Sequence, residues 1–597
     1  MNNKNKFNLK PLFISDDDPA MIKDNERVRK MTLAFVNKWK NRSDYLIDKM
    51  VLLEALNDYE TWKRECGTGG NVDYYFWLRN KQDTNNPNLK AKLNNINDFS
   101  NKMANDILFF ELMLAKIDQK KQIEFLAAPE LIDYHSFLES LFKCSKHLLS
   151  ENEEKIILLK KKVSYTNWVD MLNSFLVKSE REVIVSDGTL KKMSFSEIVE
   201  LTKDSNKKIR NSAVKAYNEI ITTNLDVAEE EMNSILSDKK IDDELRGYSR
   251  PEESRLLNDN IEIEIIDALI SAVSNRFELA HRFYALKTKL LGFEKLTYNE
   301  RNLKYGEIDK IYSWEKGTEI VSNVMTNIDS EFSNIFSNFL NNGAFDVFPN
   351  IGKTSGAFCV YFLKSQPVYI LLNYNNTLQD VITLAHEVGH GINDELMRQQ
   401  NALNFKTSIA TAEVASTFME DFVLEDILAN ADDNLRLSIM MMKLNSLVNS
   451  IFRQVALFKF EQEIHSIFRV KGYLSKEELG EIFYKNMTAY LGDSVSFSNH
   501  DKNNWVAWPH IRLYFYVYSY ASGLLISKYL QKEFKKDHSF IIKIKDFLAA
   551  GSSVSPKELF NNLNIDISNI DFWQTGLDEI EILLNETEVL AKKLKKI

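Results

Sequence analysis

The sequence is poor in the two residues that most often form turns. Glycine occurs 19 times and proline 9 times in 597 residues, well below the usual shares of about 7% and 5%. A chain with few turn-forming residues makes few turns, so long helices are expected instead of many short strands. The 44% of hydrophobic and 27% of charged residues are typical of a soluble globular protein with a large core.

Three further absences narrow the class of protein. The only cysteines, Cys66, Cys144 and Cys359, give neither a disulfide framework nor a cysteine-based zinc site, and they favour a reducing compartment. The sequence has no signal peptide and no run of about 18 apolar residues, so a cytoplasmic protein without a membrane span is expected. A formal charge of −10 without a concentrated basic face argues against nucleic acid as a partner.

The pattern along the chain predicts helices with two interruptions. Residues 1 to 20 are interpreted as a loose leader, after which apolar residues recur at helical spacing. A small hairpin is predicted over Arg181–Phe195, where two short runs flank Ser186-Asp187-Gly188. Residues 343–373 hold two runs rich in aromatic and β-branched residues, Ala357–Leu363 and Pro367–Leu372, which predict a small sheet.

A capped helix is predicted over Thr377–Gln400. Thr377 suits the N-cap, and Asp380 three residues later can complete a capping box. The helix contains the segment HEVGH, residues 386–390. Residues four apart differ by about 40° around a helix, so the imidazoles of His386 and His390 project from one face and can bind one metal ion. Glu387, beside the first imidazole, is suited to take a proton from the attacking water and pass it to the leaving amine.

Coincidence is a poor explanation for this motif. With the chain's own residue frequencies, H-[DE]-x-x-H is expected by chance about 0.02 times in this length. A catalytic zinc site needs a third protein ligand, and the downstream helical pattern Ser408–Asn430 offers Glu413 and Glu420, seven residues or two turns apart. One of them can bind the metal while the other accepts a hydrogen bond from a ligand histidine.

The segment Ala507–Gly523 carries His510 and the tyrosines at 514, 516, 518 and 520. The commoner interpretation of such an aromatic stripe is core packing. Alternating tyrosines are unusual in a helix core, however, because each buried phenol needs a partner. The alternative is that His and Tyr donors stabilise the oxyanion of a tetrahedral intermediate, and Tyr516 with Tyr520 would share a face if the segment is helical.

Together, these segments resemble the thimet-oligopeptidase-like family of zinc metallopeptidases, and most closely its bacterial oligoendopeptidase F branch. The resemblance rests on the region around Gly352-Lys353 and Gly356-Ala357-Phe358, on PVYILLNYN and TLAHEVGHGIN, and on AEVASTFMED. Further segments that resemble the family are SIFRQVALFKFE, AYLGD and PHIRLYFYVYSYASG. The resemblance is strongest over residues 345–525.

The resemblance implies a nearly all-helical, two-lobed bowl that encloses a deep channel, with a small sheet next to the HExxH helix. It makes Glu413 the third ligand of one Zn²⁺ per chain, beside His386 and His390. It also implies that His510 supports catalysis with a tyrosine; Tyr516 and Tyr520 are favoured, and Tyr518 is the main competitor. The expected regions are an N-terminal helical region (1–110), a helical segment that ends in the hairpin (111–200), and the catalytic region (201–597).

The resulting hypothesis is a cytoplasmic, monomeric zinc endopeptidase that cuts internal bonds of short, unstructured oligopeptides. The strand PVYILLN is expected to pair with the substrate backbone as an edge strand. Two alternatives stay open. One is a dedicated maturation or carboxypeptidase-like peptidase of the same fold with one specific substrate, and the other is an inactive peptide-binding protein.

Overall fold

The structure, a computed structural model, describes residues 5–308 and 310–597. The chain forms two compact units, and three separate stretches contribute to each. The first unit comprises residues 5–146, 310–430 and 527–565, and the second comprises 147–308, 431–526 and 566–597. The division into 1–110, 111–200 and 201–597 follows chain position and stays a prediction.

Helices account for most of the described residues, so the prediction of a mostly α fold is confirmed. The first stretch contains α1 (Ala20–Trp39), α2 (Lys49–Glu65), α3 (Gly70–Gln82), α4 (Pro87–Ile107), α5 (Phe109–Ala115), α6 (Gln119–Leu126) and α7 (His135–Ser145). The second contains α8 (Glu151–Lys161), α9 (Asn167–Lys178), β1 (Glu180–Ile184), β2 (Leu190–Ser194), α10 (Phe195–Leu201), α11 (Lys207–Thr223), α12 (Leu225–Arg246), α13 (Glu253–Asn258), α14 (Ile263–Ser274), α15 (Phe277–Leu290) and β3 (Leu296–Thr297).

The remaining stretches complete both units. The first unit continues with α16 (Trp314–Ile328), α17 (Ser330–Asn342), β4 (Phe345–Asp346), β5 (Phe358–Val360), β6 (Tyr369–Leu371), α18 (Leu378–Leu396) and α19 (Ile409–Ala429). Then follow α20 (Asp433–Leu447), α21 (Arg453–Lys471), α22 (Lys476–Leu491), β7 (Val495–Ser496), α23 (Tyr518–Lys536), α24 (Ile541–Ala549), α25 (Pro556–Asn561) and α26 (Ile570–Lys593). Among the described residues, no helix combines the length and apolarity that crossing a membrane requires.

The predicted hairpin is present as β1 and β2. The strands pair antiparallel, with Arg181 opposite Met193 and Ile184 opposite Leu190. Gly188 lies in the turn with a φ of 81°, a left-handed conformation that glycine adopts without steric cost. Helix α11 packs against β1.

A three-stranded sheet in the order β4-β6-β5 lies next to α18. Strands β5 and β6 confirm the two predicted runs, although each is shorter than predicted. β6 pairs in parallel with β4 and antiparallel with β5, so it is the central strand. The expectation that PVYILLN is an edge strand is therefore wrong, because both of its edges are already occupied. β5 is the edge strand beside α18.

The loose leader predicted for the first 20 residues is not observed over its described part. Phe7, Leu9, Leu12 and Phe13 are all buried and pack in one cluster with Tyr369 and Leu371 of β6. The hydroxyl of Tyr369 donates a hydrogen bond to the carbonyl oxygen of Asn8 at 2.7 Å. The leader thus forms part of the core behind the sheet, because its four apolar side chains gain more from burial than its polar neighbours lose.

Candidate metal centre and histidine–tyrosine cluster

Helix α18 positions the HExxH segment in the first unit. The predicted capping box is present: the Thr377 hydroxyl accepts from the Asp380 N–H at 3.3 Å, and the Asp380 carboxylate accepts from the Thr377 N–H at 2.8 Å. The apolar face of the helix is fully buried at Val381, Ala385 and Val388. Burial of this face fixes the rotation of the helix, which sets the direction of the two histidines.

A glycine allows α19 to approach α18 closely. A Cβ atom at Gly389 would lie 2.6 Å from the Cα of Ser416 and 2.7 Å from the carbonyl oxygen of Ala415. Residue 389 lies between the two histidines in sequence, so this close contact of the helices occurs beside them. This contact brings Glu413 to the imidazoles.

Three side chains from these helices converge. The Nε2 atoms of His386 and His390 are 3.2 Å apart. The Oε2 atom of Glu413 is 3.4 Å from Nε2 of His386 and 3.7 Å from Nε2 of His390. The hydroxyl of Ser416, one turn after Glu413, donates to the same Oε2 atom at 3.0 Å. Two imidazole nitrogens and one carboxylate oxygen thus surround one point.

These distances fit a tetrahedral zinc ion. Ligand bonds of about 2.0–2.1 Å in tetrahedral geometry place the ligand atoms about 3.3–3.4 Å from one another. The observed separations of 3.2, 3.4 and 3.7 Å are within a few tenths of an ångström of that value. His386, His390 and Glu413 also form a group with all ligand atoms within 4.8 Å of one another, as a shared metal ion requires.

The electrostatics of the cluster favour a cation. Burial lowers the pKa of His386, but the surrounding carboxylates, first Glu420 and then Glu387 and Glu413, outweigh it and raise that pKa to about 9. Burial and the charge of His386 lower the pKa of His390 to about 4, although Glu413 opposes this. Near neutral pH, three acidic side chains therefore face one protonated imidazole, His386, and one neutral imidazole, His390. A divalent cation would balance this excess of negative charge.

Glu420 lies behind the first histidine. Its Oε1 atom is 3.6 Å from Nδ1 of His386, on the opposite side of the ring from Glu413. A carboxylate in this position orients an imidazole and holds its proton on Nδ1, the nitrogen that faces away from Glu413. Of the two carboxylates considered as the third ligand, Glu413 is the one that lies near Nε2 of both histidines, and Glu420 lies near Nδ1 of His386.

Glu387 lies close to the edge strand. It is 7% exposed, and the backbone N–H of Cys359 in β5 acts on its carboxylate to lower its pKa. Burial, reinforced by the negative charge of Glu413 and opposed by His386, raises the pKa of Glu387 to about 7. The Cys359 thiol in turn donates to the buried carboxyl of Asp394 at 3.5 Å. Sequence reasoning missed both contacts, although Asp394 follows His390 by one turn on the same buried helix.

His510 and two tyrosines cluster in the second unit. The ring of His510 stacks on that of Tyr516, with centroids 5.6 Å apart. The hydroxyls of Tyr516 and Tyr520 are 3.3 Å apart. The segment is not helical at Tyr516, because α23 begins at Tyr518, so the condition under which both tyrosines would share a helix face is not met. Tyr516 lies in the turn before the helix, where its carbonyl oxygen accepts a hydrogen bond from the N–H of Ser519 at 3.1 Å.

The other two tyrosines of this segment have structural partners. The hydroxyl of Tyr518 donates to the Asp259 carboxylate at 2.7 Å, and that of Tyr514 donates to the carbonyl oxygen of Ile235 at 3.0 Å. These bonds occupy both donors within the unit. Tyr516 and Tyr520 are the tyrosines of the stripe whose hydroxyls meet next to His510.

A strained turn precedes α23. Tyr514 and Phe515 have φ angles of 48° and 55°, which bulky residues rarely adopt. The N–H of Phe515 donates to Oε2 of Glu461 at 2.7 Å, and Glu461 is fully buried. Backbone strain of this kind persists only where surrounding contacts enforce it. Glu461, the last residue of SIFRQVALFKFE, is thus the side chain that holds the turn below the cluster.

A largely helical chain in which two histidines of an HExxH helix meet a glutamate of the next helix has the arrangement of a metallopeptidase. Comparison with known proteins agrees. The sequence profile described as Peptidase family M3 matches residues 200–579, more than half of the chain. The chain therefore belongs to peptidase family M3, a family of metallopeptidases. A second profile, Oligopeptidase F, matches residues 114–173.

Individual relatives give the same result over nearly the whole chain. Oligopeptidase PepF of Bacillus subtilis is 25% identical over 99% of this chain and 88% of its own length. An oligoendopeptidase F homolog of Borreliella burgdorferi is 26% identical over 97% of this chain and 98% of its own length. The resemblance to the oligoendopeptidase F branch that the sequence indicated is confirmed.

Solved structures show the same fold. A putative peptidase from Chlamydophila abortus superposes with a TM-score of 0.84 at 20% identity and covers 99% of both chains. Oligoendopeptidase F from Enterococcus faecium superposes with a TM-score of 0.71 at 18% identity, over 95% of this chain and 98% of its own.

Proposed function

We propose that the protein is a zinc-dependent endopeptidase that hydrolyses internal bonds of short, unstructured oligopeptides. The observation that supports this best is the convergence of three ligand atoms at 3.2–3.7 Å beside the buried carboxylate of Glu387. His386, His390 and Glu413 would hold the zinc ion. When bound, it supplies a Lewis acid for the scissile carbonyl and for the attacking water.

Glu387 performs the proton transfers in this proposal. As a carboxylate it takes a proton from the water that attacks the carbonyl carbon, and it then gives that proton to the leaving amine. The backbone N–H of Cys359 favours the charged form of this carboxylate. Burial raises its pKa to about 7, which is suited to accepting and releasing a proton near neutral pH.

Substrate recognition is assigned to the edge strand. β5 bonds to one neighbouring strand among the described residues and is only half-buried. An extended peptide that pairs with a strand edge is held through its backbone, which allows many sequences to bind. We therefore assign to β5 the pairing role expected of PVYILLN.

The role proposed for His510, Tyr516 and Tyr520 is stabilisation of the oxyanion, and it rests on the family resemblance. His510→Ala should lower kcat by about 10²–10³-fold, as loss of one oxyanion donor does, with a smaller change in KM. Steady-state kinetics on one peptide provides the measurement. A rise in KM with normal kcat would assign His510 to substrate binding instead.

Mass spectrometry of a mixed pool of short peptides, incubated with the protein with and without a zinc chelator, tests the proposed function. Internal cuts in many peptides that disappear with the chelator are the expected result. Cleavage of a single peptide would favour the dedicated maturation enzyme. Zinc-loaded protein that cuts none would favour the peptide-binding protein.

A further inference from the structure

A small cationic pocket lies within the second unit, lined in part by Asn504, Trp508 and His510. Its volume is about 270 Å³, room for several waters or one small ligand. Six of its lining residues bear on its chemistry: Tyr217, Tyr298, Arg301, Arg453, Asn504 and His510. None of the described residues that line the pocket is Asp or Glu.

Arg301 is the first sign that this pocket is built for a ligand. It is 7% exposed, and its guanidinium lies over the ring of Tyr298, 3.5 Å from the centroid. Its Nη1 atom donates to the carbonyl oxygen of Tyr298, but its Nε atom is buried without a hydrogen-bond partner among the described residues. Asp501 acts on its charge from a distance, but the carboxylate of Asp501 accepts hydrogen bonds from the N–H and hydroxyl of Ser498. A buried guanidinium without an ion pair is costly unless an anion joins it.

Two further polar atoms of the pocket lining are unused, whereas Tyr217 donates to Asn504 and Asn504 donates to the carbonyl oxygen of Asp501. The hydroxyl of Tyr298, which is 1% exposed, and Nδ1 of His510 have no partner among the described residues. Arg453 donates through Nε to the carbonyl oxygen of Asn449 at 3.2 Å and packs 5.4 Å from the ring of Trp508. Within the described part of the chain it has no ion pair. Two guanidinium groups, a phenol and an imidazole therefore offer hydrogen bonds to a space without a carboxylate.

We infer that this pocket binds a small oxyanion, of the carboxylate or phosphate class, between Arg301, Arg453, Tyr298 and His510. Planar guanidinium groups bind such anions with two parallel hydrogen bonds each, and the phenol and imidazole supply single donors. The oxyanion has two sources: a free anion of the solution, or the C-terminal carboxylate of a peptide. The second source rests on the proposed function, and the first does not.

The test uses Arg453, which is half-buried, because a variant of the buried Arg301 is at greater risk of misfolding. Inorganic phosphate and acetate are titrated calorimetrically into the zinc-loaded protein and its Arg453→Gln variant. Arg282→Gln is the matched control, since Arg282 lies in the same unit and is paired with Glu581 and Glu588. Zinc-loaded Glu387→Gln protein, with and without Arg453→Gln, is titrated with one peptide carrying a free or an amidated C-terminus.

Loss of a charged hydrogen-bond pair weakens binding by about 10- to 100-fold. If the free-acid peptide binds that much more tightly than the amide, and Arg453→Gln removes the difference, the pocket reads peptide termini. The other result is that the free-acid and amidated peptides bind equally, whereas phosphate or acetate binds and Arg453→Gln weakens that binding by about 10- to 100-fold. In that case the pocket takes a free anion. Tyr298→Phe should give a smaller loss in either case.

Anion binding that is equal in wild type, Arg453→Gln and Arg282→Gln would overturn the inference. So would the combined result that neither phosphate nor acetate binds and that the free-acid and amidated peptides bind equally. Because phosphate is titrated without any cleavage step, its result is independent of whether the protein proves to be an endopeptidase. Zinc content is measured in each variant, so that a change in anion binding at the pocket is distinguished from a change in anion binding at the metal.

Discussion

At the scale of single residues, the proposed chemistry depends most on Glu387. It is buried beside His386, a proposed ligand, and the backbone N–H of Cys359 acts on its carboxylate to lower its pKa. Neither feature is a property of the HExxH pattern, which predicts where the carboxylate lies on the helix but not what holds it. The strand that supplies the donor is nearly 30 residues earlier in the chain.

Glu387→Gln should lower kcat by about 10²–10⁴-fold, because the amide can no longer accept the proton of water. Zinc content should stay at the wild-type level, since residue 387 provides no ligand atom. Peptide hydrolysis and metal analysis on the same preparation check both statements. Near-normal kcat in the variant would remove Glu387 from its proposed role.

Glu461 gives a prediction for stability against pH. Burial, partly offset by the Phe515 N–H and Arg255 and reinforced by Glu252, raises its pKa to about 8. Because an unfolded glutamate releases its proton near pH 4.3, the folded chain binds the extra proton between about pH 4.3 and 8. The contribution of Glu461 to the free energy of unfolding therefore falls as the pH rises from about 4.3 to 8.

Glu461→Gln stays neutral and keeps an oxygen for the Phe515 N–H. Relative to wild type, its free energy of unfolding should rise between about pH 5 and 8, with a slope of at most about 1.4 kcal/mol per pH unit. Urea unfolding across this range is the measurement. Glu463→Gln, on the same helix and paired with Lys485 at 2.8 Å, is the matched control. An identical trend in both variants would contradict the account.

At the scale of elements, the metal centre is a product of one helix pair. α18 and α19 are in close backbone contact at Gly389, between the two histidines. Gly389→Ala would place a methyl group 2.6–2.9 Å from backbone atoms of α19, which cannot move as a side chain can. Overpacking of this kind costs about 1–3 kcal/mol of stability. Zinc affinity should fall as well, because Glu413 moves away with its helix.

Gly480→Ala is the control for this substitution. Gly480 lies in α22, and an added Cβ there would meet its nearest atom, the Cβ of Lys502, at 3.3 Å. Helix propensity favours alanine by about 1 kcal/mol, so this variant should be near-neutral or stabilised. Thermal unfolding and zinc titration compare the two. Equal effects at both positions would remove the special role of the contact at Gly389.

The elements also show what sequence can and cannot predict. The capping box at Thr377 and the periodicity of its apolar residues predicted α18, since both signals are local. The turn at Tyr514 and Phe515 was not predictable, because its left-handed residues are stabilised by Glu461, more than 50 residues away. For the same reason the buried leader was missed: its apolar side chains pack against a strand some 360 residues later.

At the scale of the whole molecule, each compact unit is assembled from three distant stretches. Every proposed ligand of the metal lies in the first unit, in the stretch 310–430, and the His510 cluster and the anion pocket lie in the second. Local patterns predicted the largely helical content. Which stretches combine into one unit depends on contacts between remote segments, and no local pattern encodes them.

The central claim is that His386, His390 and Glu413 hold a zinc ion without which the protein does not hydrolyse peptides. Its most direct test is zinc content and peptide turnover measured on the same samples of wild type, His390→Ala and Glu413→Ala, with the exposed His538→Ala as control. The account predicts one zinc per chain and turnover in wild type and His538→Ala, and loss of both in the two ligand variants. Full turnover by zinc-free protein, or undiminished zinc and turnover in His390→Ala, would contradict it.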